Sequence, residues 1–337
     1  MSGNKYNYIS FLFCLLVTSC ELPLDLREIG DEDMLKLECL VTPGDTTVLN
    51  LDVLVPVGYH ERIPSEVSSD DIIMTIDGKE AELMPAKEGD SGLKSGTFYV
   101  VEDIPHGAEV CINASVEGME PIEARTVVPP SLDGGYMNLE LTDIASGEYF
   151  GEPVRNIVKG RLELPERLKG CRIGIGYTLR NVVDSCGVKV NEETWASRVY
   201  DVKNITSDGN VASGSDFDNL QPLSYGGPYV WKGTDEYEFM FVHAWDSASE
   251  YEDEYGNMQE WSYDYSFRFE IYVFSEECYQ YYSRTTSRFF EMGLASPSYT
   301  YTNVHGGTGL LGAVVVAETP WYDDSSIIPD ETMVLEF

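Results

Sequence analysis

Gly307-Thr308-Gly309-Leu310-Leu311-Gly312 is a literal G-x-G-x-x-G, the spacing whose glycines let a turn approach the pyrophosphate of a dinucleotide at a helix N-terminus. That chemistry needs a strand before the glycines, a helix after them and an acidic residue about 20 positions on. Here the order is inverted. The polar stretch SPSYTYTNVHGG precedes, and Ala313-Val314-Val315-Val316-Ala317 follows, a β-branched run that reads as a strand. The glycines are therefore expected to act through the backbone alone, by positive φ or close approach where an irregular loop enters a buried strand. No cofactor is expected.

The remaining reactive residues assemble no familiar centre. The four histidines are His60, His106, His243 and His305, with no H-E-x-x-H and no G-x-S-x-G. His243 sits among apolar residues in FMFVHAWD and reads as a strand histidine, and His305 reads as a tie for the glycine loop. Glu250, Glu252, Asp253 and Glu254 could offer oxygens to a hard cation, but Tyr255 stands where an EF-hand turn needs glycine. A solvated hairpin tip is the expectation there, with no metal. Past Cys20 the cysteines are Cys39, Cys111, Cys171, Cys186 and Cys278, without C-x-x-C spacing, which argues against zinc. Alternation places Cys39 with Leu35, Leu37 and Val41, whereas Cys111 lies opposite Val110, Ile112 and Ala114, so the two are not expected to pair. A Cys171–Cys186 bridge across a hairpin is compatible with the sequence. The chain is not expected to be an enzyme.

The elements that must position these residues are mainly β. Short alternating runs at 34–42, 46–54, 72–76, 96–101, 109–116 and 122–128 are separated by turn residues such as Pro43-Gly44-Asp45 and Asp77-Gly78. They predict an N-terminal immunoglobulin-like β-sandwich over 33–130, closed by Pro129-Pro130. A larger β-rich domain over 131–337 is predicted to follow, with a strand from Arg172 to Leu179 and a loop over 206–214. Residues 237–245 and 261–274 are predicted to form a long aromatic hairpin, with Trp261, Tyr263, Tyr265, Phe267 and Phe269 on one buried face. Its connection offers Tyr251 and Tyr255 as a candidate contact loop for a glycan or peptide. One amphipathic helix is predicted near 276–292, with Ser275 as N-cap, Glu276 and Glu277 in the first turn, and Gly293 and Pro297 at its end.

The front of the chain bounds its compartment. Lys5 precedes the apolar run 9–17, too short to span a membrane and suited to a signal-peptide core. Val17-Thr18-Ser19-Cys20 then looks like a bacterial lipobox. This predicts a leader over 1–19, an acylated Cys20 and a tether over 20–32, with the membrane link made by lipid. The 337-residue chain carries a formal charge of -36, and loss of the leader, whose only charged residue is Lys5, makes it -37. Such a surface repels nucleic acid.

Taken together, Cys20 followed by ELPLDL, the early LKLECLVTPGDTTVLNLDV, the stretch SGTFYVVEDIPHGAEVCINASVEGMEPIEARTVVPP and the late YTNVHGGTGLLGAVVV resemble the outer-membrane lipoproteins of Bacteroidota grouped as domain of unknown function 4249. The family's late segment, Asn-x-x-x-Gly-x-Gly-x-Φ-Gly before a terminal strand, falls on Asn303, Gly307, Gly309 and Gly312, with Leu311 at a position often aromatic in relatives. The resemblance covers nearly the whole mature chain. It implies a non-enzymatic outer-membrane protein that works with a TonB-dependent transporter in nutrient binding or uptake. A surface glycan-binding protein or adhesin is the alternative.

Overall fold

The computed structural model describes residues 33–44, 46–55, 67–86, 96–145, 155–202, 220–223, 227–233, 236–243, 247–252, 258–285, 301–323, 326–327 and 331–337. Cys20 with the leader and tether, the loop over 206–214, Tyr255 and the predicted helix end at Gly293 and Pro297 lie outside these residues.

The fold is mainly β. The first half contributes β1 (Met34–Val41), β2 (Thr47–Leu54), β3 (Ile72–Ile76), β4 (Lys79–Glu80), β5 (Met84–Pro85), β6 (Thr97–Val100), β7 (Glu109–Ala114) and β8 (Ile122–Val127). Alternation decides which face each presents: in β1 Leu35, Leu37, Cys39 and Val41 are buried, and in β7 Val110, Ile112 and Ala114. Sheet β5-β6-β2-β1 and sheet β4-β3-β7-β8 bury these faces in one core.

The second half contributes β9 (Tyr136–Ala145), β10 (Arg155–Glu163), β11 (Arg172–Ser185), β12 (Val188–Ser197), β13 (Val199–Tyr200), β14 (Leu220–Pro222), β15 (Tyr229–Trp231), β16 (Glu238–His243), β17 (Ser247–Glu252) and β18 (Met258–Phe274). A single described α-helix, α1 (Glu276–Thr285), comes next, followed by β19 (Thr308–Glu318), β20 (Tyr322–Asp323) and β21 (Thr332–Glu336). The sheet β13-β16-β10-β9-β21 packs across an aromatic core onto β11 and β18: Tyr177 lies 4.4 Å from Phe241 and Phe239 5.7 Å from Phe269, ring centre to ring centre. Phe337 follows β21 and would leave no room for a side chain at Gly135.

The two halves share a sheet. Residues 308–313 of β19 pair in parallel with β1, while 314–318 pair antiparallel with β18. A 12-stranded sheet therefore runs through strands from both sides of Pro130, with β19 as its seam.

Three expectations need correction. The predicted hairpin of 237–245 with 261–274 does not form: β16 pairs with β10 and β13, and the hairpin partner of β18 is β17, built from residues assigned to the connection. Cys171 and Cys186 form no disulfide. They flank the two ends of β11, whose 14 residues span on the order of 45 Å, against the ~7 Å between Cα atoms that a bridge tolerates. The strand predicted to stop at Leu179 continues to Ser185 because β12 and β18 pair with it over that length.

Candidate functional site

The segment that carries the family resemblance lies at the seam. Gly309 has φ of 112°, and a Cβ on it would stand 1.9 Å from the Leu37 carbonyl oxygen. A Cβ on Gly307 would stand 2.5 Å from the Leu35 carbonyl oxygen, and one on Gly312 3.0 Å from Cys278 Cβ on α1. These positions let β1 and the helix approach the β19 backbone more closely than any side chain permits. Gly312 lies within a strand, so the glycine run opens no helix.

Asn303 holds the other edge of β19. Its Oδ1 accepts from the Leu311 N–H at 3.0 Å, and its Nδ2 donates to the Leu311 carbonyl at 2.8 Å and to that of Arg125 at 3.1 Å. The side-chain amide thus does what a neighbouring strand's peptide would do just beyond the reach of β18. Two residues later the ladder resumes through Ser275, whose N–H donates to the Ala313 carbonyl at 2.9 Å and whose Oγ accepts from the Ala313 N–H at 3.1 Å. The same Oγ accepts from the Cys278 N–H at 3.2 Å, the predicted N-cap bond. His305 is exposed and acts through its backbone, exchanging two hydrogen bonds with Glu123 on β8 at 2.8 and 3.1 Å. Thr126 Oγ1 donates to Glu277 at 3.1 Å and joins α1 to β8.

Among the described residues no three His, Cys, Asp or Glu side chains gather to hold a metal ion. Burial pushes the Cys39 and Cys278 thiols up to about 12, which keeps them protonated and unreactive. Burial likewise raises the Tyr177 phenol, whose hydroxyl is enclosed in the aromatic core. His106 Nδ1 lies 3.1 Å from the Pro129 carbonyl.

A concave site does form where α1 rises over the outer face of the first sheet. That face is the one left by burying Leu37, Cys39, Leu49 and Leu51, so it presents Lys36, Glu38 and Leu40 from β1 and Val48 and Asn50 from β2. Glu38 faces Asn50 across β1 and β2 and Leu310 across β1 and β19. Tyr281 and Tyr282, set edge to face at 5.4 Å, form the wall of a cleft of about 430 Å³ above Glu38, Leu40, Val48, Asn50 and Leu310. Lys36 Nζ and Glu38 Oε1 are 2.5 Å apart, and that hydrogen-bonded carboxylate holds the Lys36 ammonium above its ordinary range. Asn50 Oδ1 accepts from Thr97 Oγ1 at 2.7 Å, which fixes the amide. Sequence reading did not find this site. Its signals were the polar alternation at 36, 38 and 50 on either side of the β1–β2 turn and the adjacent Tyr281 and Tyr282 in the predicted helix, and nothing local joins that strand pair to the helix.

Of the predicted contact loop, Tyr251 is placed on β17 opposite Gln259 by its backbone, and Tyr255 lies outside the described residues. The face predicted to be buried on β18 is fully buried at Phe267 and Phe269 and half-buried at Trp261, Tyr263 and Tyr265. Among the described residues β12 pairs with β11 alone, and it is exposed along almost its whole length. The sequence matches no protein-family model and none of the curated proteins.

Proposed function

We propose that the chain is a lipid-anchored outer-membrane protein, non-enzymatic, that works with a TonB-dependent transporter in nutrient binding or uptake. The lipobox cysteine directly after the short apolar run carries this reading. The resemblance to the domain of unknown function 4249 lipoproteins supports it. So does the way Asn303, Gly307, Gly309 and Gly312 contribute backbone packing and no chemistry of their own. In this reading acylated Cys20 anchors the chain, and the folded part presents its surface to transporter or cargo.

The test is to tag the C-terminus, solubilise native outer membranes in mild detergent and identify what co-purifies. A near-stoichiometric TonB-dependent transporter supports the reading, and its reproducible absence overturns the partnership. Cys20→Ala should move the chain out of the membrane fraction; retention there would remove the lipid anchor from the account. The second reading, a glycan-binding surface protein, is favoured by the tyrosine-walled cleft beside α1.

A further inference from the structure

We propose that the cleft between α1 and the outer face of β1 and β2 is a binding site for a neutral glycan, taking a segment of one or two sugar residues. A pyranose has an apolar C–H face and a rim of hydroxyls, and the cleft offers a partner for each. The rings of Tyr281 and Tyr282 form one wall and Leu40, Val48 and Leu310 an aliphatic floor, against which the C–H face packs. Glu38 and Asn50, neighbours in the β1–β2 register, supply hydrogen-bonding groups on that floor. With Asn50 Oδ1 taken up by Thr97, the amide presents its NH2 group as donor, and Glu38 presents acceptor oxygens. All of these except the tyrosines stand on paired strands, so the polar groups are pre-organised.

The charges select the ligand class. Glu38 is paired with Lys36 at 2.5 Å, so the cleft holds no spare carboxylate charge to draw in a cationic peptide. The chain as a whole carries -36, so an anionic sugar is repelled. An all-apolar ligand would strip water from Glu38, Lys36 and Asn50 without replacing their hydrogen bonds. Hydroxyls satisfy them.

This inference rests on the nutrient-capture reading only in supplying its cargo site, and its test is independent of any transporter. Detergent-purified full-length protein is titrated calorimetrically with maltohexaose, cellohexaose, xylohexaose and hexalysine, and screened on a neutral-glycan array. At least one neutral glycan should bind. Tyr281→Ala should weaken that binding at least tenfold and Leu40→Trp, which fills the floor, should abolish it, whereas Tyr281→Phe should retain it. Each variant's melting temperature checks that the fold survives. Absence of binding across the neutral panel overturns the proposal, as does binding unchanged in both Tyr281→Ala and Leu40→Trp, or cleft-dependent binding of hexalysine in place of glycans. Protein that co-purifies with a transporter yet binds no glycan overturns this site alone. Glycan binding without a transporter overturns the partnership alone.

Discussion

Replacing Gly309 with alanine tests whether the seam holds the two halves together. Two costs combine. A φ of 112° is a conformation L-residues rarely adopt, worth on the order of 1–3 kcal/mol. The added Cβ would also lie 1.9 Å from the Leu37 carbonyl oxygen and 2.8 Å from its carbon, both backbone atoms that no rotamer change can move aside. β1 and β19 must separate there, weakening ladder bonds each worth about 1 kcal/mol net. The sum is about 3–5 kcal/mol, a large fraction of the 5–15 kcal/mol typical of a folded protein. Gly118→Ala supplies the control. Gly118 also has positive φ, 84°, but nothing lies within 4 Å of the Cβ it would carry, so it should lose only about 1–2 kcal/mol. Urea unfolding followed by tryptophan emission is the assay. All five tryptophans lie beyond residue 190, so the signal reports the second half while the clash is with β1 in the first. With a slope on the order of 3 kcal/mol per molar urea, the Gly309 variant's midpoint should fall by about 1 M or more and the control's by about 0.3–0.7 M. Equal midpoints for the two variants would refute the close-approach argument. A tryptophan transition left at the wild-type midpoint while another probe moves would refute the coupling of the halves.

Asn303→Ala should cost about 2–3 kcal/mol by leaving the Leu311 N–H and C=O without their side-chain partner; Asn303→Asp, which keeps the acceptor and loses both donor contacts, should not restore the urea midpoint. Ser275→Ala removes the α1 N-cap and the acceptor for the Ala313 N–H, so it should cost about 1–3 kcal/mol and reduce helical signal in far-UV circular dichroism before global unfolding. Burial raises the Cys39 thiol in the folded state to about 12 from its ordinary 9.0. Its contribution is fully present below pH 9 and lost as pH rises from there towards 12, at about 1.4 kcal/mol per pH unit. Cys39→Val should flatten the alkaline fall in urea midpoint by that amount, and an unchanged slope would show that the thiol is not shielded.

The strands at 34–41, 47–54, 72–76, 109–114 and 122–127 were legible because each buries one face and exposes the other, and alternation records that directly. Partnership left no such record. β16 and β18 are both aromatic and near in sequence, and alternation made them look like neighbours in a hairpin. Phe239 and Phe241 instead meet Phe267 and Phe269 edge-on or tilted across the core, and packing across sheets leaves the same alternating pattern as pairing within one. The pattern at 313–317 announced a strand but not that its first part would lie parallel to β1 some 270 residues earlier. The glycines hinted at close approach, yet the atoms they approach, the Leu35 and Leu37 carbonyls, are unrelated to them in sequence. The cleft was least legible, since Glu38 and Asn50 belong to the β1–β2 pair and Tyr281 to a helix some 230 residues later, and only the seam brings that helix over the pair.

The position of β1 bears on the proposed anchorage. In that reading the chain is held to the membrane through Cys20, and tension along the tether reaches the fold at the start of β1. A strand at a sheet edge, loaded at one end, peels away one hydrogen bond at a time. β1 is not at an edge: β2 pairs with it antiparallel along one side and β19 parallel along the other. A pull along β1 loads both ladders in shear, so many bonds must fail together, and it acts on the β1–β19 pair through the tight approach at Gly309. The residues that make the late motif recognisable are therefore the ones that would fasten a membrane-tethered strand into both halves of the molecule. On this account Gly309→Ala should matter more to the anchored protein under load than to the protein in solution.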